Sequence, residues 1–255
     1  MVDRAQQFKP GDFSHGQVHE FLVAYGKQGG NPDLLQAAIE DQKLMTRLVN
    51  FWEQGGYEAT IDQKNARAIM GKNFLGVEEA IQHFKLQPSE QAISRLKEIP
   101  FSESVLRECK NTHILIADLG LSIIGVKSRV DRNLFYSKED AWYTNQAFAQ
   151  KEGEVTWRLI RKDIVPSSTS KTWQQQQALI TAVEETPEAR AMVYTNILYY
   201  LVHGSRLFSS VYARCSDLGS GGCRVCVGGF GSEGLSVGGS DGNYLGGLGL
   251  AAARK

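Results

Sequence analysis

The chain has 255 residues and a formal net charge of zero, and its 42% hydrophobic and 22% charged residues are ordinary values for a globular protein with a core. The balanced charge indicates no basic face, so we expect neither nucleic acid nor membrane as a partner. The sequence has no apolar run that could cross a bilayer, no apolar leader and no disulfide framework, which predicts a cytoplasmic protein.

Residues 1–56 have the pattern of a helical N-terminal module. Asn31 and Pro32 suit the N-cap and the first position of a helix, and apolar residues then recur at helical spacing. Gly55 and Gly56 would end this helix, which we place at 31–53. Residues 57–112 follow as a helical connecting region, in which FLGVEEAIQHF and PSEQAISRL show helical spacing.

From residue 113 onward the pattern alternates between strands and helices. Runs rich in β-branched residues predict strands at 113–118, 121–127 and 155–160. Ser137 with Asp140 resembles a capping box that opens a helix to Gln150. These elements give residues 113–255 the character of an α+β domain.

Two further helices are expected before the C-terminal segment. The first is WQQQQALITAV, which follows a polar loop. The second runs over 187–202, with Thr186 as its cap and Pro187 in its first turn. It is the most apolar helix of the chain, so we expect it to be buried.

The last forty residues are rich in glycine and serine, and half of the chain's 26 glycines lie in the last 37 residues. Apolar residues nevertheless occupy every second position of several short runs, which is typical of strands with one buried face. The segment is therefore predicted to be ordered. The expected core positions are Val225, Val227, Phe230, Leu235, Val237 and Leu250.

Several short motifs suggest chemistry, but each lacks its structural context. Residues 229–234 match G-x-G-x-x-G, yet no helix follows to hold a pyrophosphate. Cys223 and Cys226 have zinc-ligand spacing with Cys215 as a third candidate, but a structural zinc needs four ligands. His15 and His19 stand four residues apart beside Gly16, which weakens a helix. We expect no metal, no cofactor and no catalytic residue.

The segments LFYSKEDAWYTNQAFAQKEGEVTW, STSKTWQQQQAL and ETPEARAMVYTNILYYLVHGSRLF, then VYARCSDL and the terminal LGLAAARK, resemble the bacterial variable proteins of diversity-generating retroelements. The resemblance covers roughly residues 70–255. It implies a C-type lectin-like fold and a non-enzymatic protein that binds a protein or other macromolecular ligand. In that family a reverse transcriptase rewrites adenines in the codons of a C-terminal variable region.

The composition of the C-terminal segment agrees with this resemblance. Randomised AAC or AAT codons cannot encode Gln, Lys, Met, Trp or Glu, and between Cys215 and Leu250 only Glu233 belongs to that set. The resemblance therefore places the variable region at about 215–249. Its candidate surface positions are Gly219, Gly222, Cys223, Cys226, Gly228, Gly229, Ser236, Gly238, Gly239, Gly242, Asn243, Tyr244, Gly246 and Gly247.

Two other functions are compatible with the sequence. One is an enzyme or metal protein on a related lectin-like fold that uses the C-terminal cysteines, as formylglycine-generating enzymes use a cysteine pair. The other is a structural or interaction protein that docks through residues 1–56.

Overall fold

The computed structural model describes residues 14–53, 57–139, 141–240 and 247–255. The chain divides into two compact units, Met1–Glu53 and Gln54–Lys255. This division falls close to the boundary at residue 56 that the sequence suggested. The second unit combines helices with two sheets, so the expected α+β class is confirmed.

The described part of the first unit forms three helices: α1 His15–Lys27, α2 Pro32–Glu40 and α3 Gln42–Glu53. Asn31 caps α2 as predicted, accepting a hydrogen bond from the Leu34 N–H at 2.9 Å. The single helix predicted over 31–53 is wrong, because Asp41 turns out of the helix and caps α3 through the Lys43 N–H at 2.8 Å. The predicted stop at Gly55-Gly56 lies outside the described residues.

The second unit begins with four helices and a short strand. These are α4 Ile61–Met70, β1 Phe74–Leu75, α5 Val77–Phe84, α6 Glu90–Arg95 and α7 Glu103–Cys109. The helix predicted from Phe74 starts only at Val77, because Phe74 and Leu75 pair in parallel with β2, the strand His113–Asp118. Side chains of these helices share one buried cluster with Leu115 and Trp157. Residues 57–112 are thus part of the same compact unit as the sheets.

The first sheet has the strand order β1-β2-β3-β9-β4. Its further strands are β3 Thr156–Arg161, β4 Glu184–Glu185 and β9 Ala253–Arg254. The predicted strands at 113–118 and 155–160 are confirmed. The strand predicted at 121–127 is wrong: the segment forms helix α8, Ile123–Lys127, with the Ser122 hydroxyl accepting the Gly125 N–H at 2.9 Å. A short apolar run is compatible with a strand or a helix, and here the Ser122 cap favours the helix.

The second sheet has the order β7-β6-β5-β8 and carries most of the glycine-rich segment. Its strands are β5 Tyr212–Leu218, β6 Arg224–Gly231, β7 Gly234–Ser240 and β8 Leu248–Leu250. The pairs β5–β6 and β6–β7 are antiparallel, whereas β8 runs parallel to β5. After β8 the chain crosses to the first sheet, where β9 lies between β3 and β4.

Helix α11, Ala189–His203, is the buried helix predicted over 187–202, and it packs in one cluster with side chains from both sheets. The predicted Thr186 cap is wrong, because Glu188 occupies the N-cap position and the carboxylate of Asp217 in β5 accepts the Ala189 N–H at 2.6 Å. One N–H group of the helix's first turn is thus satisfied by a distant strand.

A buried ion pair joins α11 to the first sheet. Both Nη atoms of Arg190 lie 2.9 Å from the carboxylate oxygens of Asp118, and Arg158 Nε reaches the same carboxylate at 2.7 Å. Asp118 and Arg190 are almost fully buried. Removing Asp118 would take from the buried Arg190 the carboxylate that accepts hydrogen bonds from both of its Nη atoms, so we interpret this cluster as structural.

Two predicted helices are shorter in the structure. Helix α9 covers Ala147–Gln150 and helix α10 covers Trp173–Gln177. Asp140, half of the predicted capping box with Ser137, lies outside the described residues. No helix in the described part of the chain is long and apolar enough to span a membrane.

Candidate functional site

The second sheet buries the apolar positions that the sequence assigned to a core. Val225, Val227 and Phe230 of β6 are fully buried, and Leu235 and Val237 of β7 are at most 5% exposed. All five belong to the cluster that contains α11. Leu250 is also fully buried, in a smaller cluster with Val165 and Ala252. The predicted core positions are therefore confirmed.

The structure divides the fourteen candidate surface positions into three groups. Seven are exposed or half-buried: Gly222, Cys223, Gly229, Ser236, Gly238, Gly239 and Gly247. Three are buried, so their expected exposure is wrong: Gly219, Cys226 and Gly228. Four lie outside the described residues: Gly242, Asn243, Tyr244 and Gly246.

Cys226 is buried because the sheet face opposite the apolar core is also covered. Arg214, its partner on β5, is 1% exposed and donates from Nη1 to the Lys171 carbonyl at 2.9 Å and to Gln176 Oε1 at 3.1 Å. The second terminal nitrogen of Arg214, Nη2, donates to Ser240 Oγ at 3.1 Å. The segment around α10 therefore lies over this face, and alternation along one strand could not reveal it.

Gly228 is buried by close backbone contact rather than by side chains. A Cβ at this position would lie 2.2 Å from the Val211 carbonyl oxygen and 2.8 Å from the Tyr212 Cα. At Gly229, which has φ +56°, a Cβ would lie 2.4 Å from the Tyr212 hydroxyl. A side chain at Gly228 would push β5 and β6 apart, so this glycine is a structural requirement.

We call the exposed end of the sheet around Trp142 the sheet rim, which consists of Trp142, Ser220, Gly222, Cys223 and Gly239. A Cβ on Gly239 would lie 2.8 Å from Cys223 Sγ and 3.7 Å from the Trp142 ring. Trp142 is 42% exposed, and its indole N–H donates to the Val237 carbonyl at 2.8 Å. The indole therefore satisfies a backbone carbonyl of β7, which is an edge strand of the second sheet.

The hairpin between β5 and β6 is fixed to the rest of the rim by a side-chain amide. Gln146 Oε1 accepts the Ser220 N–H at 2.9 Å, and Gln146 Nε2 donates to Ser220 Oγ at 3.1 Å. The sequence did not identify Trp142 or Gln146 as part of this site, because both stand about 75 to 95 positions away from their partners in the chain. Only the exposed indole gives the rim an aromatic contact surface.

A second exposed group of candidate positions surrounds Tyr212, which is 37% exposed. Tyr212 faces Gly228 across the β5–β6 pair, and Gly228 in turn faces Ser236 of β7. The Tyr212 N–H donates to the Gly247 carbonyl at 2.8 Å. We call Tyr212, Gly229, Ser236 and Gly247 the Tyr212 patch.

Burial opposes thiolate chemistry at two of the three C-terminal cysteines, Cys215 and Cys226. All four are free thiols, and burial raises the pKa of Cys226 to about 11 and that of Cys215 well above its usual range. The thiolate is the form that binds metals and attacks electrophiles, so burial opposes both roles at these two residues. In the described ranges, His, Cys, Asp and Glu side chains form no group of three that could hold a metal ion.

The remaining motifs lie in a hairpin and on the exposed surface of α1. Residues 229–234 form the end of β6, the hairpin turn and the start of β7, so the dinucleotide motif lacks its helix. His15 and His19 are exposed on α1.

Comparison with known proteins gives no further assignment: no family model matches the chain, and neither a curated protein nor a solved structure shows significant similarity to it.

Proposed function

We propose that this chain is a non-enzymatic binding protein with a C-type lectin-like domain, and that its second sheet displays a surface diversified by a retroelement. The observation that carries the proposal is the difference in burial between the apolar positions and the candidate surface positions of residues 215–250. Five apolar positions, Val225, Val227, Phe230, Leu235 and Val237, are buried in the cluster that contains α11, whereas seven of the candidate positions remain exposed or half-buried.

The residues that flank the proposed variable segment support the same proposal. The segment begins on β5 and ends at β8, and the residues that follow, Ala251, Ala252 and Ala253, are buried. Strand β9 then pairs with β3 of the first sheet at Ile160 and Leu159. Both ends of the segment are thus held by residues outside it, which lets surface positions change at small cost in stability.

The structure also narrows the set of positions that we propose to vary. Gly247 has ordinary space for a side chain, and at Gly238 a Cβ would lie 3.3 Å from Cys226 Sγ. Cys223 and Gly239 share one space and would change together. Our proposed variable set therefore consists of Cys223, Ser236, Gly238, Gly239 and Gly247. It excludes the buried positions Gly219, Cys226 and Gly228.

The ligand that we propose is a protein or another macromolecule. Trp142 on the rim and Tyr212 on its patch are large exposed aromatic residues beside the proposed variable positions. Such residues often dominate binding energy at protein interfaces, while small polar neighbours adapt to the partner. We propose the cytoplasm as its location, since four free thiols suit a reducing compartment.

The test is a comparison of the gene with its genomic neighbourhood. We expect an imperfect copy of the 215–249 coding segment nearby, differing where that copy has adenines. The differences should fall in codons of the proposed variable set, while codons for Val225, Val227 and Leu235 stay identical. Absence of such a copy, or differences spread over the core codons, would contradict the proposal.

A further inference from the structure

A groove of about 730 Å³ lies in the second unit, away from the sheet rim. One wall contains Lys72, Thr112 at the start of β2 and Lys162 at the end of β3. The other wall is the loop 205–211 between α11 and β5. The volume falls within the range of sites that hold small molecules.

The lining of this groove is strongly basic. It contains Lys72, Arg161, Lys162 and Arg206, against a single acidic residue, Asp163, among its described lining residues. Arg161 is partly neutralised by Glu184, whose carboxylate lies 3.7 Å away. Neither Lys72 nor Lys162 takes part in an ion pair between described residues. Two lysines therefore line the groove with no ion-pair partner among the described residues.

The charges in this region repel one another. Burial lowers the pKa of Lys162, and the nearby positive charge of Lys72 lowers it further. The buried His113 responds to the same field: burial is the main cause of its low pKa of about 4, and Arg161, Arg254 and Lys162 add to the shift. An anion placed between Lys72 and Lys162 would relieve this repulsion.

The loop wall contributes neutral polar residues and is anchored to the core at Phe208. Ser205, Ser209 and Ser210 line the groove and are exposed. Between them Phe208 has φ +50°, a conformation that is unusual for a bulky residue. Its ring is buried in the main core, and its carbonyl accepts the Phe230 N–H at 3.2 Å. Strain that the core maintains in this way is often found at functional sites.

We propose that this groove binds a small molecule that carries a phosphoryl or pyrophosphoryl group. Lys72 and Lys162 would hold the phosphate as point charges, and the loop hydroxyls would donate hydrogen bonds to its oxygens. The site shares no residue with the sheet rim or the Tyr212 patch. The two regions adjoin at Gly247, where a Cβ would lie 3.9 Å from the Ser210 carbonyl oxygen. The phosphate proposal depends on Lys72 and Lys162, which belong to neither exposed region, so either proposal can fail alone.

The test is isothermal titration calorimetry of the full chain with pyrophosphate, at low and at physiological ionic strength. The test variant is the double substitution Lys72→Gln and Lys162→Gln. The matched control is Lys64→Gln with Lys85→Gln, which removes the same charge from two exposed positions outside the groove. Thermal unfolding of each variant checks that it is folded, and each single lysine variant is titrated if the double variant is not.

We expect saturable binding of one pyrophosphate per chain and a loss of about tenfold in affinity for each groove lysine removed, as for charge-assisted hydrogen bonds. The control should bind like the unchanged protein. Absence of binding, or an equal loss in the control, would overturn the proposal. Tighter binding of a short single-stranded oligonucleotide than of pyrophosphate would also overturn it, because it would indicate a nucleic-acid surface.

Discussion

Replacing Gly228 with alanine should destabilise the protein strongly, although the residue lies in a segment with the composition of a variable region. The new Cβ would lie 2.2 Å from the Val211 carbonyl oxygen and 2.8 Å from the Tyr212 Cα. Both are backbone atoms, so β5 would have to move away from β6. The Gly229 N–H donates to the same Val211 carbonyl at 2.9 Å, and this bond would weaken.

The expected loss follows from these two contacts. Forced overpacking costs about 1–3 kcal/mol, and a lost backbone hydrogen bond adds about 1 kcal/mol. We therefore expect the free energy of unfolding to fall by about 2–4 kcal/mol. Gly238→Ala is the matched control, because its Cβ would meet only Cys226 Sγ at 3.3 Å, and the control should change stability by less than about 1 kcal/mol.

Urea-induced unfolding of the full chain, followed by tryptophan fluorescence, measures both variants. Three of the four tryptophans, Trp142, Trp157 and Trp173, lie in the second unit and report on its transition. A Gly228→Ala protein within about 0.5 kcal/mol of the unchanged chain would refute the reasoning, since that is the range of ordinary surface substitutions. Equal losses in both variants would refute it as well.

Three further predictions address the core, the thiols and pH. Leu250→Ala should lower the free energy of unfolding by about 2–5 kcal/mol, because the side chain is fully buried. Leu218→Ala, at a position 52% exposed, should change it by only about 0.5 kcal/mol. Similar losses for the two variants in urea unfolding would contradict the assigned burial. Iodoacetamide at pH 8 should modify the half-buried Cys223 much faster than Cys226, whose thiol has a pKa of about 11, and equal rates by peptide mass spectrometry would contradict this. Burial depresses the pKa of His113 to about 4, so its contribution to stability is present above the unfolded value of about 6.5 and is lost as pH falls towards 4. Urea unfolding between these pH values should therefore show a steeper loss for the unchanged chain than for His113→Gln, and parallel curves would exclude this residue as the cause.

The sequence predicted best where one local pattern sufficed. Alternating apolar residues identified the buried positions of β6 and β7, and Asn31 with Pro32 marked the start of α2. The same reasoning gave the wrong structure at 121–127, where a five-residue helix capped by Ser122 replaces the expected strand. A short apolar run has too few periods to separate the two patterns.

Surface exposure could not be read from alternation, because alternation defines only which residues share a face of a strand. Whether the second face meets water depends on what packs over it. Here Gln176 and Lys171, some forty residues away in the chain, contact Arg214 and cover the face that includes Cys226. The sequence carries no local signal of that contact.

By itself the amino-acid sequence determined which apolar positions of the second sheet are buried, since side-chain alternation is a property of each strand alone. The tertiary structure decided which of the remaining positions are exposed and have room for a different side chain. It placed Gly228 against the backbone of β5, set the Trp142 ring beside Gly239, and brought Lys72 and Lys162 to one groove. These features depend on contacts between distant segments, and such contacts exist only once the chain has folded.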